Sequence, residues 1–260
     1  MRLEIGSHGG PLVFHKSEEK KRSDGIGLCG VESGGIMGKD IKKETIMDVK
    51  RVKRRGIQFT HTTFDGWDLN MYLIQGERHN FIIDTGLGAP HAEEMRGYLS
   101  PVKNTVIINT HYHWDHVWGN GALPGATIVS HKLCRELIRS KWDEMMGQNY
   151  RYCLGDVSMA LPDPVFVEEL CFPEDGVRLL YTPGHTIDSI SVLDEKDGVL
   201  HAGDNVGDTL EEIVPALYCD KQYYLDTLKK YAGLDFDTCV SGHNMILEKD
   251  VFDRIGSLIG

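Results

Sequence analysis

The sequence lacks several features that define other classes of protein. It has no run of about 18 consecutive apolar residues, so we expect no membrane-spanning helix. Its first residues, MRLEIGSHGG, have neither the basic start nor the long apolar stretch of a secretory signal, and a cytoplasmic location is therefore expected. Six cysteines are present but none forms a CxxC pair. This spacing argues against a zinc knuckle or a thioredoxin-like motif and favours reduced, buried thiols.

Positive charge is scarce over most of the chain. Residues 1–55 carry 13 Lys and Arg against 8 Asp and Glu, whereas residues 56–260 carry 15 against 31. Because an acidic body repels polyanions, we expect a small-molecule substrate rather than a nucleic acid. Residues 1–55 are predicted to be an N-terminal extension of unknown role, and residues 56–260 the main domain. A basic segment at 42–56 could be a helix that ends at Gly56 or a strand.

Short apolar segments are frequent after residue 57, and most of them are predicted to be β-strands. Their strongly apolar composition is typical of strands that are buried on both faces. The strands are predicted at 71–75, 80–84, 105–109, 126–130, 177–181, 190–194, 198–202 and 238–242. Helical periodicity is found at 131–147, 221–234 and 248–259. This order predicts a layered α/β (α+β) domain with its sheets inside.

Polar residues that commonly bind metals follow the strand at 105–109. The segment THYHWDH contains His111, His113, Asp115 and His116. Because an extended chain alternates its side chains, His111 and His113 are expected to point to the same side. Asp115 and His116 are adjacent and can reach a common point only if the chain turns into a helix there. Imidazole nitrogens and carboxylate oxygens suit zinc, iron or manganese.

Three further residues of the same kind follow other predicted strands. His185 lies in TPGHT, Asp204 in HAGD and His243 in SGH, and each motif includes a glycine. Loops at the ends of strands are where binding sites are commonly built. Seven candidate ligands at four strand ends are more than one metal ion can use. The pattern therefore predicts two metal ions that share Asp204.

These motifs resemble those of the metallo-β-lactamase superfamily. The similarity runs from about Phe59 to the C-terminus and includes NMYLI (70–74) and IIDTG (82–86). The resemblance implies a four-layered αββα sandwich with the site at one edge of its two sheets. It also implies that Asp204 bridges the metals and that Asp84 orients the site through hydrogen bonds. It assigns the first metal to His111, His113 and His185, and the second metal to Asp115, His116 and His243.

The chemistry implied by the resemblance is hydrolysis by a hydroxide that bridges two divalent metal ions, expected to be zinc, with iron or manganese also open. Asp115 is the candidate catalytic residue because it could both bind a metal and orient the nucleophile. The expected substrate is a small ester, thioester or lactone. Trp142, Met145, Met146, Tyr150 and Tyr152 are either the lining of an apolar substrate pocket or ordinary core residues.

Other functions in this superfamily remain open. A persulfide-dioxygenase-like oxygenase would hold one iron through His111, His185 and Asp204. A nuclease would need a basic groove, which the acidic body disfavours, although the basic segment at 42–56 keeps that function open. β-Lactamase activity is disfavoured because the most familiar class of those enzymes has Cys where this chain has Asp204.

Overall fold

The computed structural model describes residues 2–4 and 47–260. Residues 1 and 5–46, which make up most of the predicted N-terminal extension, lie outside the described residues. The strands in chain order are β1 (Arg2–Glu4), β2 (Asp48–Val52), β3 (Gly56–Thr62), β4 (Asp68–Gln75), β5 (His79–Ile83), β6 (Asn104–Ile108), β7 (Thr127–His131), β8 (Val165–Phe166), β9 (Glu169–Phe172), β10 (Val177–Tyr181), β11 (Ile190–Asp194), β12 (Val199–His201), β13 (Thr238–Val240) and β14 (Leu247–Glu248).

The strands form two seven-stranded sheets. The first has the order β2-β3-β4-β5-β6-β7-β8, and the second has the order β1-β9-β10-β11-β12-β13-β14. Neighbouring strands from β2 to β5 pair antiparallel, whereas β5, β6 and β7 pair in parallel. In the second sheet, β12 and β13 also pair in parallel. Parallel pairs place their carboxyl ends at the same sheet edge, and the candidate ligands other than His185 follow β6, β12 and β13, which belong to such pairs. His185 follows β10, which runs in the same direction as β12 because both strands pair antiparallel with β11.

The helices lie outside the two sheets and complete a four-layered αββα sandwich. One apolar cluster joins the first sheet to α1 and α3, a second fills the space between the sheets, and a third joins the second sheet to α4 and α5. The predicted fold class is therefore confirmed. The helices are α1 (Ala89–Arg96), α2 (Trp114–Val117), α3 (Lys132–Asn149), α4 (Lys221–Ala232) and α5 (Val251–Ile259), with short 3₁₀ turns at Asn120–Ala122 and Tyr150–Tyr152.

Strand β4 shows why the strands are apolar on both faces. Tyr72 and Ile74 belong to the cluster between the sheets, whereas Met71 and Leu73 belong to the cluster that joins the first sheet to α1 and α3. Alternate side chains of one strand thus enter two different cores, and all four are buried.

The segment at 42–56, left open between helix and strand, contains β2. This strand pairs antiparallel with β3, so the first sheet begins before Gly56. The division between an extension and the main domain at residue 55 stays a prediction. Within residues 2–4 and 47–260, no helix is both long and apolar enough to cross a bilayer.

Candidate metal centre

The seven candidate ligands lie in loops that follow the carboxyl ends of strands from both sheets. His111, His113, Asp115 and His116 follow β6 in the first sheet. The other three follow strands of the second sheet, with His185 after β10, Asp204 after β12 and His243 after β13. These loops meet at one edge of the sandwich.

The turn into a helix that the adjacent Asp115 and His116 require is present. Helix α2 begins at Trp114, and the His116 amide donates to the His113 carbonyl oxygen at 3.1 Å. The extended backbone of His113 precedes this single helical turn. The chain therefore presents His111 and His113 from an extended segment and Asp115 and His116 from a helix.

Asp84, which follows β5, holds His116 directly and His111 through Thr110. Its carboxylate accepts hydrogen bonds from His116 Nδ1 (2.8 Å), the Thr110 amide (2.8 Å) and Thr110 Oγ1 (2.7 Å). Thr110 Oγ1 in turn accepts from His111 Nδ1 at 3.1 Å. With Nδ1 of both rings donating a proton, each Nε2 offers a lone pair when its ring is neutral.

The two candidate histidines that follow strands of the second sheet are each held by a main-chain carbonyl group. His185 Nδ1 donates to the Ala216 oxygen, and His243 Nδ1 donates to the Asp68 oxygen, both at 2.8 Å. A carbonyl oxygen can only accept, so both rings present an unprotonated Nε2 when neutral. Sequence analysis missed these partners because backbone carbonyl groups have no residue signature.

Two asparagines near the ligands were also missed. Asn205 Oδ1 accepts from the His185 amide at 2.8 Å, and its Nδ2 donates to the Thr182 oxygen at 2.7 Å, which anchors the TPGHT loop. Asn70 contacts the loop of His243 in a similar way. Asn70 is the first residue of NMYLI and Asn205 follows Asp204, but asparagine is common in loops and strand ends, so the sequence offered little signal for these contacts.

Gly242 is required by close packing at the site. A β-carbon at this position would lie 2.1 Å from Asp204 Oδ1 and 2.8 Å from His116 Cε1. Both distances are far below van der Waals contact. The glycine in SGH therefore allows the backbone to approach the cluster.

The free ligand atoms converge on Asp204. Its Oδ2 lies 3.6 Å from Nε2 of His111 and 3.7 Å from that of His185, and 3.3 and 3.2 Å from those of His116 and His243. The candidate ligands form two groups, and within each group all the ligand atoms lie within 4.8 Å of one another. The first is His111, His113, His185 and Asp204, and the second is Asp115, His116 and His243.

Several of these candidate ligand atoms have no hydrogen-bond partner among the described residues. Within the described part of the chain, His111 Nε2, His116 Nε2 and Asp204 Oδ1 are buried without a hydrogen-bond partner. His113 Nδ1 and His185 Nε2 face each other at 3.1 Å, although His185 already donates through its other nitrogen. Buried polar atoms are rarely left unpaired, so a bound cation fits this arrangement. Zinc ligands at tetrahedral angles lie about 3.3 Å apart, which matches these separations.

The electrostatics of the cluster favour bound positive charge. Burial lowers the pKa of His111 well below its usual value and that of His113 to about 4, so both rings are neutral, as metal binding requires. Burial would also lower the pKa of His243, but Asp204 and Asp115 raise it to about 9. The same carboxylates would attract a metal cation.

A cavity of about 620 Å³ opens onto the cluster. His113, Asp115, His185, Asp204 and His243 form part of its wall. Helix α3 and the segment after Gly207 supply other parts of the lining. The size lies within the range of about 300–1,000 Å³ found for small-molecule sites.

Five residues were predicted either to line this cavity or to belong to the core. The structure places some of them in the cavity wall and others in the core. Met145 lines the cavity. Trp142 and Met146 pack against the cluster that joins the first sheet to α1 and α3, and Tyr152 is buried in that cluster. Tyr150 is exposed. Polar groups of α3, such as Lys141 and Gln148, share the lining with Met145, so this wall of the cavity is mixed rather than apolar.

Comparison with known proteins agrees with this geometry. The family model of the metallo-beta-lactamase superfamily matches residues 65–243, a range that contains all seven candidate ligands. The chain belongs to this superfamily. The chain spans less than two thirds of the length of the curated relatives that it matches.

Individual members of the superfamily are distant from this chain. A metallo-β-lactamase from Hirschia baltica superposes with a TM-score of 0.63 at 16% identity, covering 82% of this chain and 97% of that structure. The "lactamase-like protein nscB" of Arthroderma gypseum is 23% identical over 82% of this chain and 63% of its own length. An "atrochrysone carboxyl ACP thioesterase" of Aspergillus fumigatus is 27% identical over 69% of this chain. The match covers 51% of that thioesterase.

Proposed function

We propose that the protein is a dinuclear zinc hydrolase of a small ester, thioester or lactone. The observation that carries this proposal is the pair of ligand groups, one of four residues and one of three, that meet around Asp204 Oδ2. A single metal ion would leave one complete group unused. Two ions bound side by side would use every unpaired nitrogen and oxygen in the cluster.

The ligands divide between the two proposed metals as follows. Four histidines would bind through Nε2, because their Nδ1 atoms already donate to protein acceptors: His111, His116, His185 and His243. His113 would bind through Nδ1, which faces His185 Nε2 at 3.1 Å. Asp204 would bridge the two ions. When bound, the metal ions would acidify a water molecule and polarise the scissile carbonyl group. The first metal would take His111, His113 and His185, and the second would take Asp115, His116 and His243.

The protein's own groups would position the reactants. Asp115 lines the cavity, and its Oδ2 lies 3.4 Å from His243 Nε2 and 3.5 Å from His116 Nε2. From there its carboxylate would accept a hydrogen bond from the attacking water and direct the oxygen at the carbonyl carbon. Asp84 would hold the rings of His111 and His116 in the orientation that ligation requires.

Thioesters are the first substrates to test. The similarity to a protein named as a thioesterase supports them, and hydrolysis of a thioester releases a good leaving group. The cavity can enclose a small acyl compound. Its outer lining includes Glu144, Asp208 and Glu212, which disfavours polyanionic substrates such as RNA or DNA.

Metal content separates this proposal from the alternative oxygenase. Protein purified without added metal or chelator is expected to contain about two zinc ions per chain by mass spectrometry. It is also expected to hydrolyse at least one member of an ester, thioester and lactone panel. One iron per chain, with oxygen consumed on persulfide substrates, would instead establish the oxygenase that uses His111, His185 and Asp204.

A matched pair of variants tests the role of Asp115. Asp115→Asn is expected to lower kcat by 100-fold or more, because the amide neither binds metal nor accepts the hydrogen bond of the water as strongly. Asp143→Asn, an exposed change on α3 outside the cavity lining, is expected to leave kcat unchanged. Equal kcat values for the two variants would remove Asp115 from the mechanism.

A cytoplasmic location also remains a prediction. It is expected that the full-length protein, expressed in its source cells, fractionates with cytosolic markers.

A further inference from the structure

Asn70 connects the first sheet to the loop that carries His243. It is the third residue of β4 and is 2% exposed. Its Nδ2 donates to the Ser241 oxygen at 3.1 Å and to the Asn244 oxygen at 2.8 Å. Its backbone amide donates to the Gly242 oxygen at 2.7 Å. Three hydrogen bonds from one residue therefore hold the backbone on both sides of His243.

The orientation of the Asn70 side chain is itself fixed. Its Oδ1 accepts from Thr60 Oγ1 at 2.7 Å and from Gln58 Nε2 at 3.1 Å. Because the oxygen is occupied on the β3 side, the two amide hydrogens must face the two loop carbonyl groups. Neither aspartate nor alanine can supply both of these donors.

The contacts of Asn70 concern one ligand group only. Its bonded carbonyl groups flank His243, which belongs with Asp115 and His116. In the other group, His185 is anchored by Asn205 and by the Ala216 oxygen, neither of which bonds to Asn70. A change at Asn70 would therefore loosen His243, whereas His111 and His185 of the other group keep their own hydrogen bonds.

We infer that Asn70 is a positioning residue that sets the affinity of the second metal site by holding the His243 loop. This inference rests on the proposed two-metal function. Loss of a group that orients metal ligands commonly lowers metal affinity about 10- to 100-fold. The first site, built from His111, His113 and His185, is expected to keep its affinity.

The test is a zinc titration of metal-depleted full-length protein with a competing chromophoric chelator, which resolves two affinities in the unmodified chain. Asn70→Asp and Asn70→Ala are both measured. Each is expected to bind the first zinc as the unmodified chain does and the second at least tenfold more weakly. Cobalt substitution provides a second readout, since loss of the second ion removes its share of the visible absorption.

Asn80→Ala is the matched control. Asn80 is also a fully buried asparagine of a neighbouring strand, and it holds the loop at Ser100 through bonds of 3.0 and 3.1 Å. It contacts none of the candidate ligands in the described part of the chain. Asn80→Ala is expected to lower the unfolding temperature while leaving both zinc affinities unchanged.

The other outcomes are decisive as well. If the unmodified chain binds fewer than two zinc ions, the proposed function fails. If it binds two and both Asn70 variants also bind two with unchanged affinities, only the role of Asn70 is overturned. The role is equally overturned if both variants weaken the two sites together or fail to fold while Asn80→Ala folds, because Asn70 then stabilises the whole domain.

Discussion

At the scale of single residues, Asp84 has the most demanding position in the cluster. Its three hydrogen bonds orient His116 directly and His111 through Thr110. Its backbone φ of 58° is uncommon for a residue with a side chain, although aspartate and asparagine adopt it more readily than most. The position therefore requires both this conformation and two acceptor oxygens.

Asp84→Asn is predicted to weaken metal binding without unfolding the protein. Asparagine tolerates the same φ, so the backbone is not strained further. The amide has only one acceptor oxygen, however, and its NH₂ group would face a donor at His116 or Thr110. We expect zinc affinity to fall about 10- to 100-fold, measured by competition with a chelator.

Asp175→Asn is the control for losing a buried carboxylate. Asp175 accepts from His79 Nδ1 at 2.7 Å and from the Arg78 amide at 2.8 Å, and neither donor is a candidate ligand. This variant is expected to lower stability with zinc affinity unchanged. If the two variants had the same zinc affinity, Asp84 would have no particular role in orienting the ligands.

The residues that orient the ligands were harder to predict than the ligands themselves. Histidine and aspartate at strand ends have a chemical signature, so the sequence alone was enough to predict the seven residues that the structure brings together. Asp84 was found only through the IIDTG motif. Asn70, Asn205 and the carbonyl groups of Asp68 and Ala216 depend on which loops meet in space, and that information is not local in the sequence.

At the scale of elements, the turn between β2 and β3 connects the two sheets. Arg55 forms an ion pair with Asp194 at the end of β11. The two side chains are only 11% and 1% exposed, and the Lys196 and Asp197 amides also donate to Asp194 Oδ1. The carboxylate is thus fully paired, but only while Arg55 is present.

Arg55→Met is predicted to destabilise the domain without changing the metal centre. Methionine keeps part of the side-chain volume but leaves the charge of Asp194 buried without its partner. Removing one member of a buried ion pair costs about 3–5 kcal/mol. The free energy of unfolding in urea should fall by about that amount, and zinc affinity should stay as in the unmodified chain.

Lys53→Met is the matched comparison from the same turn. Lys53 pairs with Asp237, but that carboxylate side chain is 75% exposed, and exposed pairs contribute about 1 kcal/mol or less. A loss as small for Arg55→Met as for Lys53→Met would show that the β2–β3 turn does not stabilise the domain.

Local elements followed from the sequence, but their pairing did not. The predicted helix at 131–147 is α3, Lys132–Asn149, and the strands predicted at 71–75 and 80–84 are β4 and β5. Apolar periodicity and turn residues are local signals, which explains this agreement. Strand β13, by contrast, pairs in parallel with β12, although α4 lies between them in the chain. Such contacts depend on packing between distant segments.

At the scale of the whole molecule, metal binding is predicted to stabilise the fold. The cluster places Asp84, Asp115 and Asp204 in buried positions that a cation would neutralise. A metal that binds only the folded chain raises its stability, by about 2.7 kcal/mol when the free metal is 100 times Kd. Dialysis against a chelator should therefore lower the unfolding temperature, and added zinc should restore it. An unfolding temperature that is the same with and without zinc would contradict tight binding.

Stability should also depend on pH through a histidine that is not a candidate metal ligand. His91, in α1, is fully buried, and its Nδ1 accepts from the Leu87 amide at 3.2 Å. Burial, with a smaller contribution from His61, lowers its pKa to about 3. The unfolded chain binds a proton at about pH 6.5, and the folded chain does not until far lower pH. Stability contributed by neutral His91 is thus complete above pH 6.5 and declines as the pH falls towards 3, by about 1.4 kcal/mol per pH unit.

His91→Asn removes this proton while keeping an acceptor for the Leu87 amide. We expect the free energy of unfolding of the metal-free variant to decline less steeply between pH 6 and 4 than that of the unmodified chain, by about 1 kcal/mol per pH unit. Met95→Ala provides the comparison, since Met95 is a fully buried residue of the same helix that does not titrate. Its curve should be displaced downwards but run parallel to that of the unmodified chain. A parallel curve for His91→Asn would mean that His91 is protonated in the folded protein at these pH values, against the direction that its burial imposes.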